Sequence, residues 1–244
     1  MNFLEFILKK CYNSPNKANL HGFAQITYRG NIMSEKSPSL AEQAYEKIKQ
    51  NILNLTYPPG MPLTEAMLTK ELGMSRSPVR SAIQMLQTEG LIQSDYYKSI
   101  TVKPITRQDI EEIYQLRELL ETSAFRHIFT SGKHVEYSYR IEEKVVRMCA
   151  CAEDLYKWEI ADTDMHMEII RSLGNSRIDR VYENTLSELI RIGQCSVKNG
   201  MRIPKTNENL KKMVQHMREG NYEKSFAILK ADHFEIGKDS ALKM

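Results

Sequence analysis

Several things are scarce in this sequence, and each scarcity excludes a class of protein. There are four cysteines, Cys11, Cys149, Cys151 and Cys195. They lack the paired spacing of a zinc finger, so they read as reduced thiols of a cytoplasmic protein rather than a disulfide framework. Long apolar runs are missing too. The first, Phe3 to Leu8, is broken by Glu5 and followed rather than preceded by lysines, which fits neither a signal peptide nor a membrane span. No glycine-rich phosphate loop, Gly-x-Ser-x-Gly elbow or His-Glu-x-x-His run occurs, so the pattern is not that of an enzyme. Charge of one sign does not dominate either: the formal net charge is +3, and residues 39–105 carry seven Lys/Arg against six Asp/Glu. Charge alone therefore does not point to nucleic acid. A hydrophobic content of 41% in 244 residues is enough to bury two ordinary cores.

The strongest pattern present lies between Thr64 and Gly90. Met67, Leu68 and Leu72 share one face of a short helix, and Gly73 supplies the left-handed residue that ends it. Ser75 or Ser77 then caps a second helix, in whose first turn Pro78 is tolerated because the N–H groups there lack intrahelical partners. At 100° per residue, Val79, Ala82, Ile83 and Leu86 fall on one arc, and Arg76, Ser77, Arg80, Ser81 and Gln84 on the other. One face packs and the other is offered. Two guanidiniums one turn apart, flanked by hydroxyl and amide groups, suit a major groove, although an ordinary surface helix could carry the same residues.

Leu53 to Ile92, with the core Gly73-Met-Ser-Arg-Ser-Pro-Val-Arg80, resembles the winged-helix signature of the GntR family of bacterial transcription regulators. The resemblance covers Leu40 to about Val102. It implies that Arg76, Ser77 and Arg80 contact double-stranded operator DNA, and that a β-hairpin wing over Gln93 to Val102 reaches the neighbouring minor groove. That wing has no glycine at its tip, and Lys98 is its expected DNA contact.

Three segments are expected. Residues 1–38, outside the resemblance and rich in Asn, Ser, Lys and Pro toward their end, read as a poorly ordered extension, within which Met33 could be the true start. Residues 39–105 form the winged helix-turn-helix, with Leu40, Ala44, Ile48 and Ile52 on one stripe of a first helix that Tyr57-Pro58-Pro59-Gly60 stops. Residues 106–240 carry helical periodicity broken at Ser131-Gly132, Gly174-Asn175, Asn199-Gly200 and Gly220-Asn221. The fold class is thus mainly α, a DNA-binding head followed by an all-α bundle of about six helices.

Within the bundle, Asp162, His166, Ile169 and Leu173 share a face that must be buried, so a carboxylate and an imidazole need partners there. A plain hydrogen bond or a divalent metal would serve. Ala161 to Asn175 also resembles a motif of the fatty-acid-regulator-type ligand-binding domain (FCD), with Met165 in place of an aromatic residue. Many relatives complete a metal site with two more histidines. Here Leu210, or at best Asn209, stands where the first belongs, and Asp232 with His233 beside it where the second does, His233 sharing a stripe with Phe226, Leu229 and Ile236. Asp162, His166 and His233 are the candidate metal ligands, and the missing histidine favours a metal-free polar pocket. Arg117, on the stripe of Ile113, Leu120 and Ala124, either pairs with Glu121 or clamps a small carboxylate. Together Arg117, Asp162, His166 and His233 are the expected effector site of a homodimeric, cytoplasmic, ligand-switched regulator. The rival is an architectural DNA-binding protein whose bundle only dimerises, with these polar groups paired among themselves.

Overall fold

The computed structural model describes residues 37–94, 100–198 and 203–243. The expectations for residues 1–36, including Met33 as a start, for Lys98 and for a break at Asn199-Gly200 lie outside the described residues.

Helix α1 (Leu40–Leu53) opens on a reciprocal cap in which Ser39 and Glu42 satisfy each other's backbone N–H groups. Ala44, Ile48 and Ile52 are fully buried, but Leu40 is 57% exposed. The expected stripe fails there because Leu40 is the first helical residue, whose Cβ points back past the end of the core. The helix also ends before its prolines. Leu55 adopts φ +62, and the turn closes with the Tyr57 N–H donating to the Asn51 carbonyl at 2.8 Å.

Strand β1 (Pro62–Leu63) leads into α2 (Glu65–Leu72) and α3 (Arg76–Thr88). Gly73 ends α2 at φ 62, its N–H donating to the Thr69 carbonyl, and Ser75 stands at the N-cap of α3 without a side-chain bond. Val79, Ala82, Ile83 and Leu86 are buried. Arg76, Ser77, Arg80, Ser81 and Gln84 are exposed. Strands β2 (Ile92–Ser94) and β3 (Ile100–Val102) form the wing, and β1 pairs antiparallel with β3 on its other side, giving the order β1-β3-β2.

The bundle comprises α4 (Arg107–Thr130), α5 (His134–Ala150), α6 (Leu155–Arg171), α7 (Ser176–Glu183), α8 (Leu186–Lys198), α9 (Ile203–Arg218) and α10 (Tyr222–Leu229). A π-helical turn (Lys230–Ile236) and α11 (Gly237–Ala241) close it. Breaks fall at Ser131-Gly132, Gly174-Asn175 and Gly220-Asn221 as expected, with two more at Cys151–Asp154 and Asn184–Thr185. Cys151 is therefore a helix C-cap rather than part of a continuous helix, and Asp154 caps α6 by accepting from the Lys157 N–H. Helix α6 sits at the centre, packed against α4, α5, α7 and α8. Trp158, Met165, Ile169, Met148, Met213 and Met217 are all buried around it, each large side chain contributing about 1.5–3 kcal/mol on transfer from water.

The π turn corrects the stripe expected for the last helix. A wider turn brings Asp232, His233 and Phe234 inward together, at 5%, 2% and 4% exposure, and leaves Ile236 at 49%.

The two halves meet along α8. Gln194 Nε2 donates to the Leu53 carbonyl at the end of α1, and Arg191 Nη2 to the Lys103 carbonyl after β3. Ser187 Oγ donates to Glu89 at 2.9 Å, and Lys103 bridges Asp109 and Glu188.

Gly73→Ala tests the helix-turn-helix corner. Nothing lies within 4 Å of an added Cβ, so backbone strain is the whole effect, and urea denaturation should show a loss of about 1 kcal/mol.

Candidate functional site: a buried polar cluster in the bundle

Helices α4, α6 and α7, with the π turn, bring polar side chains to one cavity. At its base lies Glu121, with no exposed surface. Arg117 Nε donates to Glu121 Oε1 at 2.8 Å, one turn earlier on α4, and Tyr182 Oη on α7 donates to the same oxygen at 2.7 Å. His166 Nδ1 lies 2.6 Å from Glu121 Oε2, close contact in which the donor line is poorly aligned. Burial opposes the charge on Glu121, yet Arg117 and then His166 outweigh it and hold the carboxyl far below its usual range. Burial likewise works against Arg117, and Glu121 overrides it to keep the guanidinium charged. The guanidinium also lies over the Tyr114 ring, 5.4 Å from its centroid.

Above this base stand the three candidate metal ligands. His166 Nε2 is 3.5 Å from Asp162 Oδ2 and 3.1 Å from His233 Nδ1, and His233 Nδ1 is 3.7 Å from Asp162 Oδ1. Donors around an ion with bonds of about 2.0–2.2 Å stand about 3.0–3.6 Å apart; the two His166 distances fall in that range and the one from His233 to the other Asp162 oxygen lies just beyond it, so the three groups are close to the size of a coordination face. Its chemistry agrees. Burial first, then His166 and Arg117, depress His233 well below the ordinary histidine range, leaving a neutral ring with a lone pair to give. Glu121 on the far nitrogen of His166 is the carboxylate partner that orients a metal-binding imidazole. Asp162 Oδ1 has no hydrogen-bond partner among the described residues, and neither has His233 Nε2, the ring nitrogen that is not part of these contacts. The residues present therefore fit a divalent ion on three protein ligands.

The other positions considered from the sequence lie elsewhere. Leu210 is in the core, Asn209 Nδ2 donates to Asp232 Oδ1 at 3.1 Å, and neither Asn209 nor Asp232 lines the cavity. His216 faces Glu219 at the surface. Among the cavity residues that the sequence did not single out are Tyr182 and Glu159. Glu159 precedes Asp162 by three, so helical spacing places it on the same face; Tyr182 gave no comparable signal. The cavity measures about 20 Å³ and is lined also by Trp158, Ile192, Gly193 and Ser196, room for a single water-sized group. In the head, Arg76, Ser77 and Gln84 are exposed on the outer face of α3, whereas Arg80 spends Nε and Nη2 on Glu65, both at 2.9 Å.

Two outcomes follow from the cluster. Glu121→Gln leaves Arg117 buried without its anion and should cost about 3–5 kcal/mol by chemical denaturation. His233 takes up a proton in the unfolded chain more readily than in the folded one. Stability therefore falls as pH drops below about 6.5, and His233→Asn should flatten that slope in denaturation midpoints measured from pH 7 to 5.

Comparison with known proteins agrees with this architecture. The family pattern described as bacterial regulatory proteins, gntR family, matches residues 40–102, and that of the FCD domain matches residues 112–234. An uncharacterized HTH-type transcriptional regulator of Bacillus subtilis, YdhC, is 38% identical over 94 residues, 38% of this chain and 42% of that protein. The gluconate operon transcriptional repressor of the same organism is 29% identical over 144 residues, 58% of each chain. The matches thus span about half the length of these relatives. A transcriptional regulator GntR from Rhodococcus sp. RHA1 shares the fold, with a TM-score of 0.69 at 20% identity over 84% of this chain and 99% of that one. No helix among the described residues is long and apolar enough to cross a membrane. With a helix-turn-helix head joined to an FCD bundle, this chain belongs to the GntR family of bacterial transcription regulators and is not an enzyme.

Proposed function

We propose that the chain is a ligand-switched repressor that binds a palindromic operator as a two-fold dimer. The domains we assign are residues 39–105 for DNA and 106–240 for effector binding and dimerisation. Each α3 would enter a major groove with Arg76, Ser77 and Gln84 toward base edges and Arg80 beside them, at half-sites about 34 Å apart. The Arg80–Glu65 fork leaves Nη1 for DNA and holds α2 against α3.

The observation that carries the switch is the double role of α8. Leu189, Ile192, Gly193 and Ser196 line the cavity. Ser187, Glu188, Arg191 and Gln194, on the neighbouring face, bond the DNA-binding half. A water-sized cavity admits a metabolite only if its walls move, and α8 cannot move without disturbing the head. Differential contact of this kind is what coupling between two sites requires.

For the ligand, we infer a small carboxylate gripped by Arg117, whose Nε alone is committed to Glu121, together with Asp162, His166 and His233, directly or through a divalent metal. A bound ion would act there as a Lewis acid toward an oxygen ligand. The orphaned Asp162 oxygen favours this over a bundle that only dimerises, in which the polar groups would satisfy one another.

Three variants test the reading by fluorescence anisotropy on operator fragments selected from random sequence. Arg76→Ala and Arg80→Ala should each weaken specific binding by about 1–3 kcal/mol. Gln194→Ala should keep operator affinity while reducing the shift produced by the effector, a coupling of about 1–3 kcal/mol in the wild type. A strictly monomeric protein on DNA by light scattering would refute the dimer.

A further inference from the structure

One acidic side chain of the cavity is left without a role by the ion pair, the triangle of ligands and the carboxylate grip. Glu159 stands on α6 one turn before Asp162 and is 3% exposed. Its backbone carbonyl accepts from Thr163 Oγ1 at 2.7 Å, which anchors the main chain but not the carboxyl. Its Oε1 has no hydrogen-bond partner. A buried carboxyl left this way weakens the fold, and an apolar side chain of the same size would serve packing better.

The opposite wall makes room for it. A Cβ built on Gly193 of α8 would lie 2.0 Å from Glu159 Oε2 and 2.9 Å from Oε1, so the carboxyl fills the space that any side chain at 193 would take. Glycine at that position lets Glu159 lie against α8 while still lining the cavity. Glu159 lines the same small cavity as Asp162, His166 and His233.

We propose that Glu159 completes the cation site: its Oε1 accepts a hydrogen bond from the water or hydroxyl that fills the coordination position left open by Asp162, His166 and His233. This rests on the metal reading above. Glu159 acts through that group and is a positioning residue.

The test uses the full chain and Zn²⁺ alone, read by calorimetry and by thermal unfolding. Glu159→Leu removes the acceptor at similar volume. It should unfold at or above the wild-type temperature without metal, yet bind Zn²⁺ about tenfold or more weakly, as loss of an outer-shell partner does. Glu159→Gln keeps an oxygen at that place and should bind within a few-fold of wild type. Gly193→Ala pushes the carboxyl aside without deleting it. It should reproduce the weakening, and the Glu159→Leu/Gly193→Ala double variant should add nothing further. If Glu159→Leu and Gly193→Ala bind Zn²⁺ within twofold of wild type while His166→Ala abolishes uptake, the assignment to Glu159 is wrong and the metal site stands. If the wild type takes up no Zn²⁺ at all, the metal reading fails and this inference with it.

Discussion

The bundle is arranged around a single buried carboxylate. Glu121 receives Arg117 from its own helix and Tyr182 from α7, and touches His166 on α6, so three helices are referenced to one anion. Such a cluster is a poor source of net stability, because desolvating the charges cancels most of their attraction. Its effect is orientation. With Nδ1 of His166 turned to Glu121, Nε2 is turned to Asp162 and His233. The coordination face exists because the pair beneath it is complete.

From that base the constraints run outward along α8. Its apolar and small residues close the cavity, and the side chains one position round the helix are fastened to backbone carbonyls of the head. Carbonyls at the end of α1 and after β3 are fixed by the fold of the head itself, so these bonds grip the head's framework rather than its side chains. The head is thereby held by the same helix that walls the site.

Much of this was legible in the sequence, for a physical reason. Helical periodicity separates Val79, Ala82, Ile83 and Leu86 from Arg76, Arg80 and Gln84 without any tertiary knowledge, and a carboxylate, an imidazole and a guanidinium on buried faces mark Asp162, His166 and Arg117 as groups in need of partners. Which partners they find is set by contacts across the bundle, and spacing along one helix carries none of that. Glu121 looked like an alternative to a ligand for Arg117 and turns out to be the hub. Glu159 sat on the face of Asp162 and was passed over, although an acid there raises the same question. Leu40 and Ile236 failed because a stripe read from sequence assumes an unbroken helix with a core along its whole length. One ends too early and the other loses phase.

That loss of phase comes from the π turn, which is in effect a dislocation in the helical lattice, one residue more than the α repeat can accommodate. A dislocation has no preferred place along a uniform helix. Here it is pinned from two sides, by Asn209 holding Asp232 and by the histidine contact between His166 and His233. Were it to glide by a turn, His233 would rotate away from Asp162 with every helix still intact. The register of the last helix and the composition of the site are therefore a single variable, stored in the backbone as a packing fault rather than in the identity of any side chain.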